Sequence, residues 1–255
     1  MERISFYILI RTKNSYNNFD RCINSVFSQK YKRYKILFVD DASSLTQNQK
    51  NHITDVLKQH TVIFNKQRLF SVRNAYNLIW KYTKNDEAVI LNLDGDDWLY
   101  GSDSLSSLAK AYAEDSSCLL TYGECVLWNG ISLSDKPARM LLPNVNISYP
   151  KQIINLAAYR TEPFYPLHPR TWKVWLFKKI YKRDFLRPDG TWLQFAEDQA
   201  IMYPLLEMAQ GRFKVLKQPL YVYAFDHENS DENQHLIELL KDELIVRRKT
   251  IYEPV

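Results

Sequence analysis

Glycine is scarce in this chain. Of 255 residues only six are glycine, and none precedes Gly95. That absence removes two common ways for a sheet to meet phosphate. The Rossmann G-x-G-x-x-G turn and the Walker loop both need early glycines, so that backbone N–H groups can approach the phosphate oxygens. A nucleotide bound here needs another partner for its diphosphate, and a divalent cation is the obvious substitute. Proline is missing before Pro137, and all ten lie from there on. The first half therefore reads as uninterrupted regular structure and the second as more irregular. The three cysteines, Cys22, Cys118 and Cys125, form no CxxC pair. This excludes a disulfide framework and a structural zinc site, and points to a reducing compartment.

Long apolar runs are also absent from the N-terminus, where Ile4–Ile10 is the only one. A signal h-region or a membrane span needs more. The expected location is cytoplasmic, with room for peripheral contact at a membrane surface. A net charge of +5 is mild, and the basic residues form no long stripe. A nucleic-acid binder is the least favoured reading on that ground, whereas a small anionic partner is favoured. With 45% hydrophobic and 25% charged residues, the chain can bury a core and is not disordered.

The first half alternates strand and helix patterns. Apolar runs at Ile4–Ile10, Ile36–Val39, Val62–Phe64 and Ala88–Leu93 read as buried strands. Between them, Phe19, Cys22, Ile23, Val26 and Phe27, and later Val72, Ala75, Tyr76 and Ile79, recur at helical spacing. Thr46 and Gln49 form a capping box ahead of another helix. Cys118–Trp128 reads as one further strand, closed by an Asn129-Gly130 hairpin turn. A helix is expected after Pro169, another from Glu197-Asp198, a strand at Leu220–Tyr223 and a charged amphipathic helix near His235–Arg248. The fold class is therefore α/β: a doubly wound, mostly parallel sheet with an irregular C-terminal region. Ligands of such sheets bind beyond the carboxyl ends of the strands. Arg11-Thr12-Lys13-Asn14, Asp40-Asp41 and Asp94-Gly95-Asp96-Asp97 all fall there.

Carboxylates at i and i+2 on a strand end can hold magnesium or manganese, which prefer hard oxygen ligands and leave positions for phosphate. An acidic surface loop produces the same string, but the apolar run before it delivers this one to the mouth of the sheet. Glu197-Asp198 opens a helix, where acids are common because the macrodipole favours them; they also suit a general base. His168-Pro169-Arg170 can meet a diphosphate or an acceptor, or serve as a structural loop. Thr171–Arg183 mixes Trp172, Trp175 and Phe177 with cations. It reads as a helix packing its aromatics inward, with a membrane-surface helix as the competing reading.

Taken in order, Ile4–Asn14, Cys22–Tyr31, Ile36–Ser43, Asn65 with Arg73-Asn74-Ala75, Ile90–Asp97 and Glu197-Asp198 resemble the successive blocks of the family-2 glycosyltransferases of GT-A fold. The resemblance implies one domain over residues 1–255, with a nucleotide-sugar-binding half (1–135) and an acceptor-side half (136–255). It implies that Thr12, Asp40, Asp41 and Arg73 contact the nucleoside or its phosphates. Asp94 would contact the ribose or the metal, Asp96 would bind Mn2+ or Mg2+, and Asp198 would be the catalytic base of an inverting transfer. A late histidine can reach the metal in GT-A enzymes, and His227 is the candidate. Glu197, His168 and Arg170 remain candidates for the acceptor or diphosphate. The implied donor is a nucleoside-diphosphate sugar, UDP ahead of GDP or dTDP. The implied acceptor is a glycan or a protein-linked or lipid-linked hydroxyl. A non-catalytic nucleotide-sugar module and a nucleotidyltransferase are the alternatives, the latter disfavoured by the missing glycine-rich loop. The chain departs from the family at Arg11-Thr12-Lys13-Asn14, where a proline-threonine-tyrosine-asparagine segment is usual, and at Ala42, where glycine is usual.

Overall fold

The computed structural model describes residues 4–225 and 234–255. The strand and helix alternation of the first half is present as read. Strand β1 (Phe6–Thr12) leads through α1 (Phe19–Phe27) to β2 (Tyr34–Asp40), and α2 (Gln47–Val56) leads to β3 (Thr61–Phe64). Then α3 (Phe70–Tyr82) leads to β4 (Val89–Asp94) and a short β5 (Trp98–Leu99), followed by α4 (Ser104–Ala113). The capping box at α2 is formed: Gln49 N–H donates to Thr46 Oγ1 and Thr46 N–H to Gln49 Oε1, at 3.3 and 2.8 Å.

The structure departs from the sequence reading in two places. The expected single strand at Cys118–Trp128 is two strands, β6 (Leu120–Tyr122) and β7 (Cys125–Trp128), which belong to different sheets. Gly123 divides them with φ +69°, and a Cβ there would lie 3.0 Å from the side chain of Asn146 and the carbonyl of Leu216. Only glycine combines that backbone with that closeness. Strand β8 (Leu133–Pro137) completes the Asn129-Gly130 hairpin, and α5 (Lys151–Asn155) follows.

The second departure is the expected helix after Pro169. Arg170–Lys173 is instead strand β9, and only Val174–Lys178 is helical, as α6. β9 runs antiparallel to β4 on one side and β6 on the other. Pairing on both edges overrides the helical spacing of the aromatics. Trp172 and Phe177 are fully buried and Trp175 packs against the core, so these three aromatics face inward. The chain continues through α7 (Glu197–Ala209), β10 (Phe213–Val215), β11 (Tyr221–Ala224) and α8 (Leu236–Arg247).

Seven strands form the central sheet in the order β10-β6-β9-β4-β1-β2-β3, parallel apart from β9. Alternate residues feed two cores. Leu9, Leu37, Val39 and Ile90 face α3, α6 and α7, while Ile8, Ile10, Ile36, Phe38 and Leu91 face α1, α2 and α4. A strand buried on both faces has to be apolar throughout, which is why its sequence shows no alternation. A second sheet, β5-β11-β7-β8, lies beyond the end of β4. Among the described residues no helix is long and apolar enough to cross a membrane.

Candidate active site

Strand register builds the site. β1 pairs Thr12 with Asp40 of β2 and Arg11 with Asp94 of β4, so three polar strand ends stand side by side. β9 comes from the opposite direction and pairs Arg170 with Asn92, which brings His168 and Arg170 to the same edge. Helix α7 begins there too, after Ala196 at φ +53°, with Glu197 and Asp198 in its first turn.

The resulting crevice is a web of opposite charges around Arg11 and Arg170, both buried. Arg11 Nη2 donates to Asn92 Oδ1 at 2.6 Å and to Asp94 Oδ1 at 3.2 Å. Its Nη1 meets Glu197 Oε1 at 2.6 Å and the carbonyl of Ser71 at 3.2 Å. Arg170 Nη1 lies 3.2 Å from Asp198 Oδ2, and its Nη2 lies 3.9 Å from Asp94 Oδ2. A planar guanidinium can hold several acceptors at fixed angles, which an ammonium cannot.

The acids are not equivalent. Asp97 is buried and its oxygens are taken by the Tyr221 hydroxyl and the Ala224 N–H, both at 2.7 Å. Burial, followed by the charges of Asp96 and Asp94, pushes its carboxyl well above the usual range. Tyr221 also accepts from the Asp94 N–H at 3.1 Å, so this pair ties the second sheet to the end of β4. Asp96 stands between them, exposed. His168 stacks on Tyr221, with ring centroids 4.5 Å apart and Nε2 3.6 Å from Asp94 Oδ2. Burial, and then the positive Arg170, drive its pKa down to about 3, so the imidazole is neutral at physiological pH.

Asp94, Asp97 and His168 each offer an atom within 4.8 Å of the others. Even without Asp97, Asp94, Asp96, Glu197 and Asp198 outnumber the two arginines, an imbalance that a divalent cation would relieve. Hard carboxylate oxygens suit Mn2+ or Mg2+, and a neutral imidazole can join them. The residues present therefore fit such an ion.

Beside this cluster, Thr12, Tyr16, Phe19, Asp40, Leu45 and Gly95 line a pocket. Gly95 packs so tightly on β1 that a Cβ would come 2.6 Å from Thr12 Cβ and 3.0 Å from the Arg11 carbonyl. Gly95→Ala is expected to cost about 1–3 kcal/mol by overpacking and to shift Thr12 out of the pocket. A thermal melt combined with nucleotide titration checks both effects.

Two expected donor contacts are engaged elsewhere. Asp41 accepts from Asn65 Nδ2 and the N–H groups of Leu69 and Phe70, at 2.8, 2.8 and 2.9 Å. Burial opposes its charge, but the hydrogen bonds from Asn74, Leu69, Asn65 and Phe70 outweigh it and lower its pKa. Asp41 thus fastens the start of α3 to the end of β2. Arg73, on α3, lies over Trp192, 5.8 Å from the ring centroid. His227 lies outside the described residues. Arg11, Asn92 and Tyr221 are central to the crevice; in the sequence Arg11 appears only within a polar strand end where the related family has proline, Asn92 only within the Ile90–Asp97 block and Tyr221 only within a strand pattern.

A mostly parallel sheet with a polar crevice at its strand ends, joined by one antiparallel strand, defines the GT-A class of nucleotide-sugar folds. The family model for glycosyl transferase family 2 matches residues 7–180, and the chain belongs to that family. It is a glycosyltransferase by family and fold. Among solved structures it is similar to TarS 1-349 of S. aureus, with TM-score 0.62 and 18% identity over 98% of this chain and 67% of that one. The same protein in complex with UDP-GlcNAc gives 0.59 and 15%, over 97% and 68%. The mannosyltransferase PcManGT from Pyrobaculum calidifontis, in complex with GDP-Man and Mn2+, gives 0.57 and 14%, over 99% and 67%. The chain thus spans about two thirds of these structures, and 38% of a longer TarS chain. No curated protein matches it significantly.

Proposed function

We propose that this chain transfers a sugar from a nucleoside-diphosphate donor to an acceptor hydroxyl by a metal-dependent inverting displacement, with Asp198 as the general base. The observation that carries this reading is the asymmetry of the α7 acids. Glu197 is 11% exposed and committed to Arg11, whereas Asp198 is 35% exposed with Oδ2 at the crevice edge beside Arg170. A base has to reach an incoming hydroxyl, and a positioning group does not. Glu197 therefore orients the base helix against β1.

Asp198 takes the proton of the acceptor hydroxyl as its oxygen forms a bond to the anomeric carbon. The bond from that carbon to the diphosphate oxygen breaks, and the nucleoside diphosphate leaves. Thr12 and Asp40 hold the nucleoside in the pocket beside β1. Arg170 and His168 face the diphosphate, and Arg73 supplies a further cation near α3. Asp41 supports the donor indirectly through the α3 start. Asp94 and Asp96, with Asp97 and His168 close by, would hold Mn2+ or Mg2+; when bound, the ion offsets the charge that builds on the leaving diphosphate. Donors seen with the structural neighbours, UDP-GlcNAc and GDP-Man, support a UDP- or GDP-sugar here. The division into a donor half (1–135) and an acceptor half (136–255) of one domain belongs to the same reading.

Nucleotide release from a panel of UDP-, GDP- and dTDP-sugars, with and without manganese, tests it. One donor should be hydrolysed, only with metal, and Asp96→Asn should lower release by about 100-fold or more. Donor binding in a thermal shift without release under any acceptor condition would make the chain a non-catalytic binding module instead.

A further inference from the structure

Helix α8 turns an acid inward. Asp242 is completely buried, accepting from Arg187 Nε and Nη2 at 2.7 and 2.9 Å and from the N–H groups of Gln194 and Phe195 at 2.8 and 3.0 Å. Glu243, about 100° round the helix from Asp242, accepts from Gln199 Nε2 at 2.9 Å. The outward side is apolar: Leu236, Ile237, Leu240 and Leu244 are 50%, 65%, 47% and 52% exposed. At 3.6 residues per turn these four fall within an arc of about 100°. A surface helix ordinarily shows the reverse pattern, and its four largest apolar side chains do not face water together.

The exposed charges that border this arc are cations; at the other edge Glu243, about 20° beyond Leu236, is only 24% exposed and is held by Arg247, 3.0 Å away. Lys241 and Arg248 are exposed and lie just past Ile237 round the helix, whereas the exposed acid Glu238 lies further on, outside the arc. The end of α8 also rests on a basic segment. Lys249 Nζ donates to the carbonyls of Arg183 and Leu186 at 3.0 and 2.7 Å, and Tyr252 stacks on the exposed Tyr181. Lys182 and Arg183 are exposed there.

We propose that the outward face of α8 docks on an anionic lipid surface. Its four apolar side chains would enter the boundary between headgroups and acyl chains, and Lys241 and Arg248 would meet lipid phosphates. An apolar arc edged by cations is the pattern that holds an interfacial helix in the plane of a membrane. A second copy of the chain fits less well. A two-fold pairing along this arc would bring Lys241 and Arg248 of both copies to one seam, and the acid at the other edge, Glu243, is already held by Gln199 and Arg247. The surface differs from the one the sequence suggested, because the tryptophans of 171–183 are inside. It does not depend on the transfer reaction.

Flotation of the purified chain with vesicles tests this without any activity readout. The chain should float with vesicles of phosphatidylcholine and phosphatidylglycerol in equal parts and stay behind with phosphatidylcholine alone. Leu240→Glu with Leu244→Glu should cut the floated fraction about tenfold or more, and Lys241→Glu alone about fivefold. All these positions are exposed, so the variants should melt as the parent does. No flotation of the parent, or flotation unchanged in the leucine variant, overturns the proposal. So does a dimer seen by sedimentation velocity that the leucine variant abolishes, because that assigns the face to a second copy.

Discussion

Asp198→Asn is expected to lower the rate of sugar transfer by about 10²–10⁴-fold, the usual contribution of a positioned general base. The amide keeps the size of the side chain and an oxygen that can still accept from Arg170, 3.2 Å away. It cannot take up a proton. Turnover should therefore fall while donor affinity and melting temperature stay close to the parent values. Glu197→Gln should behave differently, because its contact is the buried Arg11 rather than the open crevice. It should lower stability as well as turnover. Steady-state kinetics on both variants, with thermal melts, would show this split. Equal turnover of Asp198→Asn and parent would remove Asp198 from the base role.

Arg11→Met should produce the largest loss of stability of any substitution at the site. The guanidinium is buried and holds Asn92, Asp94, Glu197 and the Ser71 carbonyl together. Methionine fills most of the volume but leaves Glu197 without its cation and Asp94 with only the more distant Arg170, 3.9 Å away. Breaking a buried pair from one side costs about 3–5 kcal/mol, because the remaining charge stays desolvated. For a chain of this length that lowers the melting temperature by roughly 10 °C. Adding Glu197→Gln should return part of the loss, since it removes the stranded charge. A double-mutant cycle on melting temperature reads that coupling. Strictly additive losses would mean the two groups do not interact.

The first half of the fold is legible in the sequence because each parallel strand is buried on both faces and so appears as an unbroken apolar run. The acidic groups are legible for a related reason: they stand where those runs stop. The structure gathers Asp94, Glu197 and Asp198 into one crevice with His168 and Arg170. The basic centre is not legible. Arg11 looks like a solvated strand end, and only register against β4 and the arrival of α7 show that it is enclosed. Tyr221 meets Asp97 across more than a hundred residues of sequence, and no local pattern encodes that contact. Strand β9 is misread because Trp172 and Phe177 also fit a helix, and the pairing that decides the matter is tertiary. Helix α8 is found near its expected position, but its charge pattern hides which side is outward. Asp242 looks like a solvent-facing acid until Arg187 and two backbone N–H groups are seen around it.

The antiparallel insertion of β9 also bears on synthesis of the chain. β6 joins the sheet only through β9, and β4 has no other neighbour on that side. A nascent chain that has not yet delivered Arg170–Lys173 therefore carries the Val89–Leu93 edge unpaired. That edge is a row of free N–H and C=O groups on an apolar strand, which is a template for aggregation. During this interval the ribosome has emitted the strands up to β4 but not the strand that seals their edge. Protection of that edge, by a chaperone or by the speed of elongation, is thus built into the requirements for producing the folded protein.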